Sequence, residues 1–347
     1  MAPGTATGTA AEPTPGTPAP PSDAPPGAAP LLTVRDLSVR FLMRGGRRVA
    51  AVDEVSLDLR AGECLALIGE SGCGKSVLAS ALLGLLPGNA VVDGTAHLDG
   101  IDLITADERV LARRVRGRRL GLIPQSPAAH LTPVRTVRSQ LEETVREITG
   151  LRGAAARRFA EDVAARAAFP ADHLDRHPHE LSGGLAQRAA TALALVGDAP
   201  VLLADEPTTG LDRDLVDRTV DELRRHADEG RGLLVITHDL AAAERIADRV
   251  AVMYAGRVVE TGPAADFFGD PGPAHPYARG LLDALPERGF TPIPGMPPEL
   301  DALPGGCAFA PRCFRADDRC GERPALVGGL ACHHPVSRAR LREEPRA

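Results

Sequence analysis

The 347-residue chain has 40 basic residues against 46 acidic ones, a net charge of −6, and is 44% hydrophobic but only 3% aromatic. That length supports one large or two modest cores, and 36 Gly with 31 Pro stays below the roughly 25% that marks low-complexity chains, which excludes collagen-like and wholly disordered architectures. The acidic balance gives no general attraction to nucleic acid, and no apolar run approaches the roughly 20 residues needed to cross a bilayer, so neither a nucleic-acid partner nor a membrane span is expected.

Residues 1–30 hold nine prolines, no Lys or Arg and no apolar stretch, the pattern of a disordered tail and not of a secretory signal. Residues 32–41 and 52–59 alternate like half-exposed strands, and 64–68 is a continuous apolar run like a buried one. GESGCGKS (69–76) follows, and then an apolar helical stretch at 77–86 closed by Pro87 and Gly88. Further strands are expected at 120–123, 201–204, 233–236 and 250–253, with helices at 136–148, 154–168, 186–195, 215–226 and 241–247. Strands alternating with helices imply an α/β fold with a mostly parallel sheet, and the strandless stretch between 136 and 195 reads as a helical insertion. Beyond Gly262 the composition shifts to Pro, Gly and Cys, which marks a C-terminal module over 263–347.

The chemistry begins with the chain's solitary lysine. Of the 40 basic residues only Lys75 is not arginine, and a forked guanidinium does not replace a compact ammonium on a slim stem. Lys75 stands in G-x-x-x-x-G-K-[ST] between a buried strand and a helix, where Gly69, Gly72 and Gly74 let successive N–H groups turn toward phosphate oxygens. Lys75 then reaches the β- and γ-phosphates of a nucleotide and Ser76 ligates Mg²⁺, with Glu70, Ser71, Cys73 and Val77 completing the cradle. Asp205 and Glu206 end the 201–204 strand, at the carboxyl edge where open α/β sheets bind ligands; one carboxylate holds Mg²⁺ and the other takes a proton from attacking water. His238 sits at another strand end, a position also open to a purely structural histidine. Ser182, Gly183 and Gly184 open a helix and offer a second phosphate cradle, or simply a serine N-cap.

Taken in order, GESGCGKS, Gln125 after its strand, LSGGLAQR (181–188), LLADEPTTGLD (202–212) and His238 resemble the motifs of ATP-binding-cassette proteins over residues 31–262, with a helical subdomain at about 132–198. The resemblance implies an ABC cassette of the P-loop NTPase class, with an antiparallel β part beside the parallel core, that hydrolyses ATP with Mg²⁺. It implies that two cassettes sandwich two nucleotides, so that Ser182, Gly183, Gly184 and Gln187 serve ATP held by the partner chain. It implies Glu206 as general base, His238 at the γ-phosphate, and Gln125 and Asp205 beside Ser76 at the Mg²⁺. Asp212 lies in the loop that communicates across the dimer, and Phe41 matches the adenine-stacking aromatic, although a core phenylalanine fits that position too.

Leu185 replaces the commonest fifth residue of the signature, and AHPYARGLLDALP, IPGMPPEL and GCAFAPRC after Gly262 resemble the C-terminal extension of the ATP-binding subunits of oligopeptide, dipeptide and nickel importers. This implies a peripheral subunit on the cytoplasmic face of the membrane. Its partners would be two permease subunits, a second cassette and an extracytoplasmic substrate-binding protein. QSPAAHLTP, lacking the acidic residue usual after the glutamine in peptide importers, keeps nickel or metal-chelate import open, and a soluble cassette acting on ribosomes or DNA is the alternative of another class.

Cys307, Cys313, Cys320 and Cys332 are separated by five, six and eleven residues, a spacing that matches neither a zinc ribbon nor a simple ferredoxin run. The resemblance implies a [4Fe–4S] cluster there, with Zn²⁺ or free thiols as alternatives, and His333 and His334 as alternative ligands. Cys73, at a helix N-terminus, is expected as a thiolate. Arg109, Arg113, Arg114, Arg116, Arg118 and Arg119 are expected on a solvated helix face.

Overall fold

The computed structural model describes residues 29–336; the tail expected at 1–30 therefore lies outside the described residues except for its last two. Ten strands form two sheets. β1 (Leu32–Leu42), β2 (Arg48–Leu59), β4 (Ala90–Leu98) and the two-residue β5 (Ile101–Asp102) make an antiparallel sheet in the order β2-β1-β4-β5. The second sheet runs β10-β9-β3-β8-β7-β6 and contains β3 (Cys64–Ile68), β6 (Leu120–Ile123), β7 (Val201–Asp205), β8 (Gly232–Thr237), β9 (Arg249–Tyr254) and β10 (Arg257–Pro263). All its neighbours are parallel except β9 and β10.

The central strand β3 is buried at every position, as a parallel strand covered on both faces must be. Its side chains divide with period two: Leu65 and Leu67 join a core shared with the antiparallel sheet and helix α1 (Lys75–Leu82), while Ala66 and Ile68 join a different core with Tyr277, Leu282 and Phe309 of the C-terminal extension. A third core unites β7, through Leu202 and Ala204, with helices α2 (Val137–Thr149), α3 (Gly153–Arg166) and α4 (Gly183–Leu195), the expected helical insertion. Helices α5 (Arg213–Asp228) and α6 (Leu240–Ile246) complete the cassette, and α7 (Ala264–Phe268) and α8 (Pro276–Asp283) open the extension.

Every strand expected from the apolar pattern forms, and 120–123 coincides with β6 end to end. The structure corrects three other expectations. Helix α1 stops at Leu82, four residues short, because Gly84 takes φ +63° and the chain turns into β4. β4 and β10 were not evident in the sequence: in β4 the apolar residues are interrupted by Asp93, Gly94 and His97, which weakens the period-two signal. The arginine cluster is not one solvated helix face, since the helical stretch ends at Val115 in a π-turn. Beyond it, Arg116 caps the carbonyls of Leu83 and Gly84 while pairing with Glu108, Arg118 binds the carbonyls of Ile148 and Glu147, and Arg119 pairs with Asp99. A short helix leaves terminal carbonyls that need donors, and these arginines supply them.

The extension is fastened to the cassette at several places, three of them away from the phosphate loop. Its apolar side chains finish the core under β9, Gly329 and Ala331 continue the sheet beyond β10 (Thr261 N–H to Gly329 O, 2.7 Å; Ala331 N–H to Val259 O, 2.9 Å), and Arg323 pairs with Asp53 and Glu54 of β2.

Candidate functional site

Parallel register brings the chemistry to one edge. Ile68 pairs with Thr237, Asp205 with Ile236 and Ile123 with Ala204, so the loops after β3, β7, β8 and β6 leave the sheet side by side, carrying residues 69–76, Glu206, His238 and Gln125. In the loop after β3, Gly74 adopts φ +105° and a Cβ there would lie 2.0 Å from the Ala51 carbonyl oxygen; at Gly69 a Cβ would lie 2.2 Å from that of Met253. Only glycine lets the loop pass between those two carbonyls.

Lys75 is buried, and its Nζ donates to the carbonyls of Gly69 (2.7 Å) and Glu70 (3.1 Å), closing the loop on itself. Ser71, Gly72 and Ser76 are exposed, and Ser76 Oγ donates to Asp205 Oδ1 at 3.1 Å. That bond joins the two residues expected to hold Mg²⁺. Burial raises the Asp205 carboxyl above its ordinary value, partly opposed by the Ser76 hydroxyl. Cys73 departs from expectation: it is buried, and loss of solvent pushes its thiol up despite the lowering influence of Lys75. Its position at a helix N-terminus does not produce a thiolate, because desolvation outweighs the dipole.

Glu206 takes the left-handed conformation, φ +49°, with its N–H held by the Ile236 carbonyl at 2.7 Å. Its buried carboxylate meets His238 Nδ1 at 2.6 Å and accepts the Thr209 hydroxyl at 3.3 Å, both on Oε2. A strained backbone aims this carboxylate at an exposed histidine beside the loop. Gln125 is exposed two positions beyond β6, Asp212 caps α5 by accepting the Leu215 N–H at 3.0 Å, and Phe41 is half-buried against the core of the antiparallel sheet.

Ser182 caps α4, accepting the Leu185 N–H, and with Gly183 is exposed. Gly184 is buried, and a Cβ on it would fall 1.9 Å from Leu215 Cδ2. Gln187 is buried on the inner face of α4 with its Nε2 unpartnered, so it does not share the exposed surface of Ser182 and Gly183.

Residues 52–209 match the family described as "ABC transporter", and residues 259–320 match "Oligopeptide/dipeptide transporter, C-terminal region". A Brucella abortus (strain 2308) protein described as a peptide import ATP-binding protein is 42% identical over 317 residues, 88% of this chain and 94% of that relative. The chain belongs to the ABC transporter family. A second peptide import ATP-binding relative, from Brucella melitensis biotype 1, is 37% identical over 88% of this chain and 95% of its own length. Among solved structures, a dimeric post-hydrolysis state of the ATP-binding cassette MJ0796 bound to ADP and Pi aligns with a TM-score of 0.61 at 26% identity, covering 67% of this chain and 98% of that one. CbiO1 from Clostridium perfringens aligns at 0.59 with 26% identity, covering 69% and 90%.

This ABC protein is an ATPase. Ser76 and Asp205 would hold Mg²⁺, which supplies charge compensation on the phosphates. Among the described residues no helix is long and apolar enough to cross a membrane.

The four extension cysteines are free thiols brought to one place: Cys307 N–H donates to Cys320 O at 2.9 Å, and burial with the neighbouring sulfurs pushes Cys332 up to about 11. A tetrahedral zinc with bonds of about 2.3 Å needs its sulfurs roughly 3.8 Å apart. The group of ligating atoms within 4.8 Å of one another is instead Asp317, Cys320 and His334, with Asp317 Oδ1 2.7 Å from His334 Nε2. His333 turns away, its Nε2 on the Glu322 carbonyl.

Two residues that touch the nucleotide loop stand outside the expected site set, although Tyr277 lies in AHPYARGLLDALP and Arg312 in GCAFAPRC. Tyr277 Oη accepts the Glu70 N–H at 2.8 Å, and Arg312 pairs with the Glu70 carboxylate. The available signal was composition: the chain has two tyrosines, Tyr254 and Tyr277, and their rings meet beside this loop at 4.4 Å.

Proposed function

We propose that the chain powers import of di- and oligopeptides by hydrolysing ATP in a pair of cassettes, and that it works on the cytoplasmic face of the membrane with two permease subunits and an extracytoplasmic binding protein. The observation that carries this is a complete loop, carboxylate and histidine edge joined in one fold to a C-terminal region matched to oligopeptide and dipeptide transporters. ATP closes the paired cassettes, with the exposed Ser182 and Gly183 of each reaching the nucleotide of the other, and hydrolysis at Glu206 reopens them. Gln125 carries that motion toward the permease. Nickel or chelate import rests on the residues after Gln125 and on an extension shared with nickel importers, whereas the relatives are described by peptide import.

In the extension, Cys307, Cys313, Cys320 and Cys332 hold a [4Fe–4S] cluster, a reading supported by the gathering of the four thiols, where Cys332 feels the other three sulfurs. The cluster ties together a segment with few long apolar runs. Reconstituting the chain with its permease and binding protein in liposomes tests the transport reading. Peptide added with the binding protein is expected to stimulate ATP hydrolysis and accumulate inside; hydrolysis stimulated by nickel and indifferent to peptides overturns it.

A further inference from the structure

The extension reaches the nucleotide loop through two side chains, Tyr277 at the Glu70 N–H and Arg312 at the Glu70 carboxylate. Arg312 lies on a single 3-10 turn (Ala310–Arg312) between Cys307 and Cys313, and it is buried. Its Nη1 and Nη2 donate to Glu70 Oε2 (2.7 Å) and Oε1 (3.0 Å), a bidentate pair that spans 242 residues of sequence. The rest of the guanidinium is held as well: Nε donates to the Pro294 carbonyl at 2.9 Å and Nη1 also to Tyr254 Oη at 3.3 Å, and the group lies 5.8 and 5.9 Å from the Tyr254 and Phe309 rings. An arginine gripped on every side is a rigid arm.

What it grips is the second residue of the phosphate loop. Every polar group of Glu70 is engaged: its N–H by Tyr277, its carboxylate by Arg312, and its carbonyl by Lys75 Nζ. A shift of Glu70 therefore moves the carbonyl on which the chain's solitary lysine rests. Glu70 has no duty to nucleotide that calls for a negative charge; a bare carboxylate beside triphosphate repels it, and the arginine removes that repulsion.

We propose that Arg312, acting through Glu70, is a positioning residue for the phosphate-binding loop, so that the cysteine-rich extension is part of the ATP site. This rests on the ATP-binding reading of residues 69–76. An interaction made equally with bound nucleotide in ground and transition states changes affinity more than turnover.

The test is equilibrium binding of Mg-ATP to the full-length chain, with thermal midpoint and iron content measured on each variant. Arg312→Met and Glu70→Gln are each expected to weaken Mg-ATP by about tenfold, the loss of a charged hydrogen bond. The double variant is expected to be no weaker than the worse single, and Arg312→Lys to recover part of the loss. Arg323→Met, which breaks two of the extension's ion pairs, those to Asp53 and Glu54, is expected to leave affinity unchanged. If Arg312→Met does not fold, Glu70→Gln carries the same test, because Arg312 keeps Pro294 and Tyr254. Single variants that bind like the parent, losses that multiply in the double variant, or an equal loss in Arg323→Met would overturn the proposal. A parent chain that binds no Mg-ATP instead sinks the reading of the loop itself.

Discussion

The carboxyl edge of the parallel sheet and the cysteine-rich extension both meet the phosphate loop, but they are built in opposite ways. At the sheet edge Gln125, Asp205, Glu206 and His238 each lie within two positions of a strand end, and the ladder of backbone hydrogen bonds fixes them. In the extension there is little regular structure after Asp283, and position is set by side chains: four thiols, one buried arginine and three aromatic rings. A site on strand ends tolerates changes around it, whereas one held by side chains fails as a unit.

The largest effect expected at the sheet edge is at the base. Glu206→Gln should lower ATP hydrolysis by about a hundredfold or more while Mg-ATP binding persists; steady-state phosphate release with a parallel binding titration checks this, and parental turnover would remove Glu206 from the role. Lys75→Arg should weaken nucleotide binding by about tenfold although charge is conserved, since the fork does not fit where Nζ now meets two carbonyls. For the extension, Cys313→Ser should abolish bound iron and labile sulfide in anaerobically purified protein and lower the thermal midpoint. If iron stays at the parental level, the cluster reading falls and the contrast between the two regions narrows.

A smaller effect belongs to the packing of α4 against α5. Gly184→Ala forces Leu215 aside and is expected to cost about 1–3 kcal/mol by urea unfolding. Acid should test both regions at once. Burial holds His226 of α5 and His275 at the start of α8 near 4, below the ordinary 6.5. The unfolded chain therefore binds more protons between these values, so stability is complete above about pH 6.5 and falls as pH drops toward 4, by about 1–3 kcal/mol per histidine. Urea midpoints at pH 7.5 and 5 measure the sum, and His275→Gln removes the extension's share.

Much of the cassette was legible because its signals are local. A five-residue apolar run before GESGCGKS needs no partner to announce a strand, a phosphate loop and a helix. The same reasoning misjudged Cys73, whose thiol depends on burial and not on its sequence neighbours, and the arginines from 116 to 119, which answer to carbonyls at Leu83, Gly84 and Ile148. Gln187 was read with its motif neighbours, but helical periodicity turns it to the inner face while Ser182 and Gly183 stay outside.

From residue order alone came the ATP loop, the acidic pair, the signature and the four cysteines, because each depends on chemistry and spacing within a few positions. Tertiary structure alone decided that Arg312 meets Glu70, that the extension completes the core under β9, and that Glu206 faces His238. Those contacts join positions separated by tens to hundreds of residues, and only the closing of the sheet and the burial of its faces brings them within hydrogen-bonding reach.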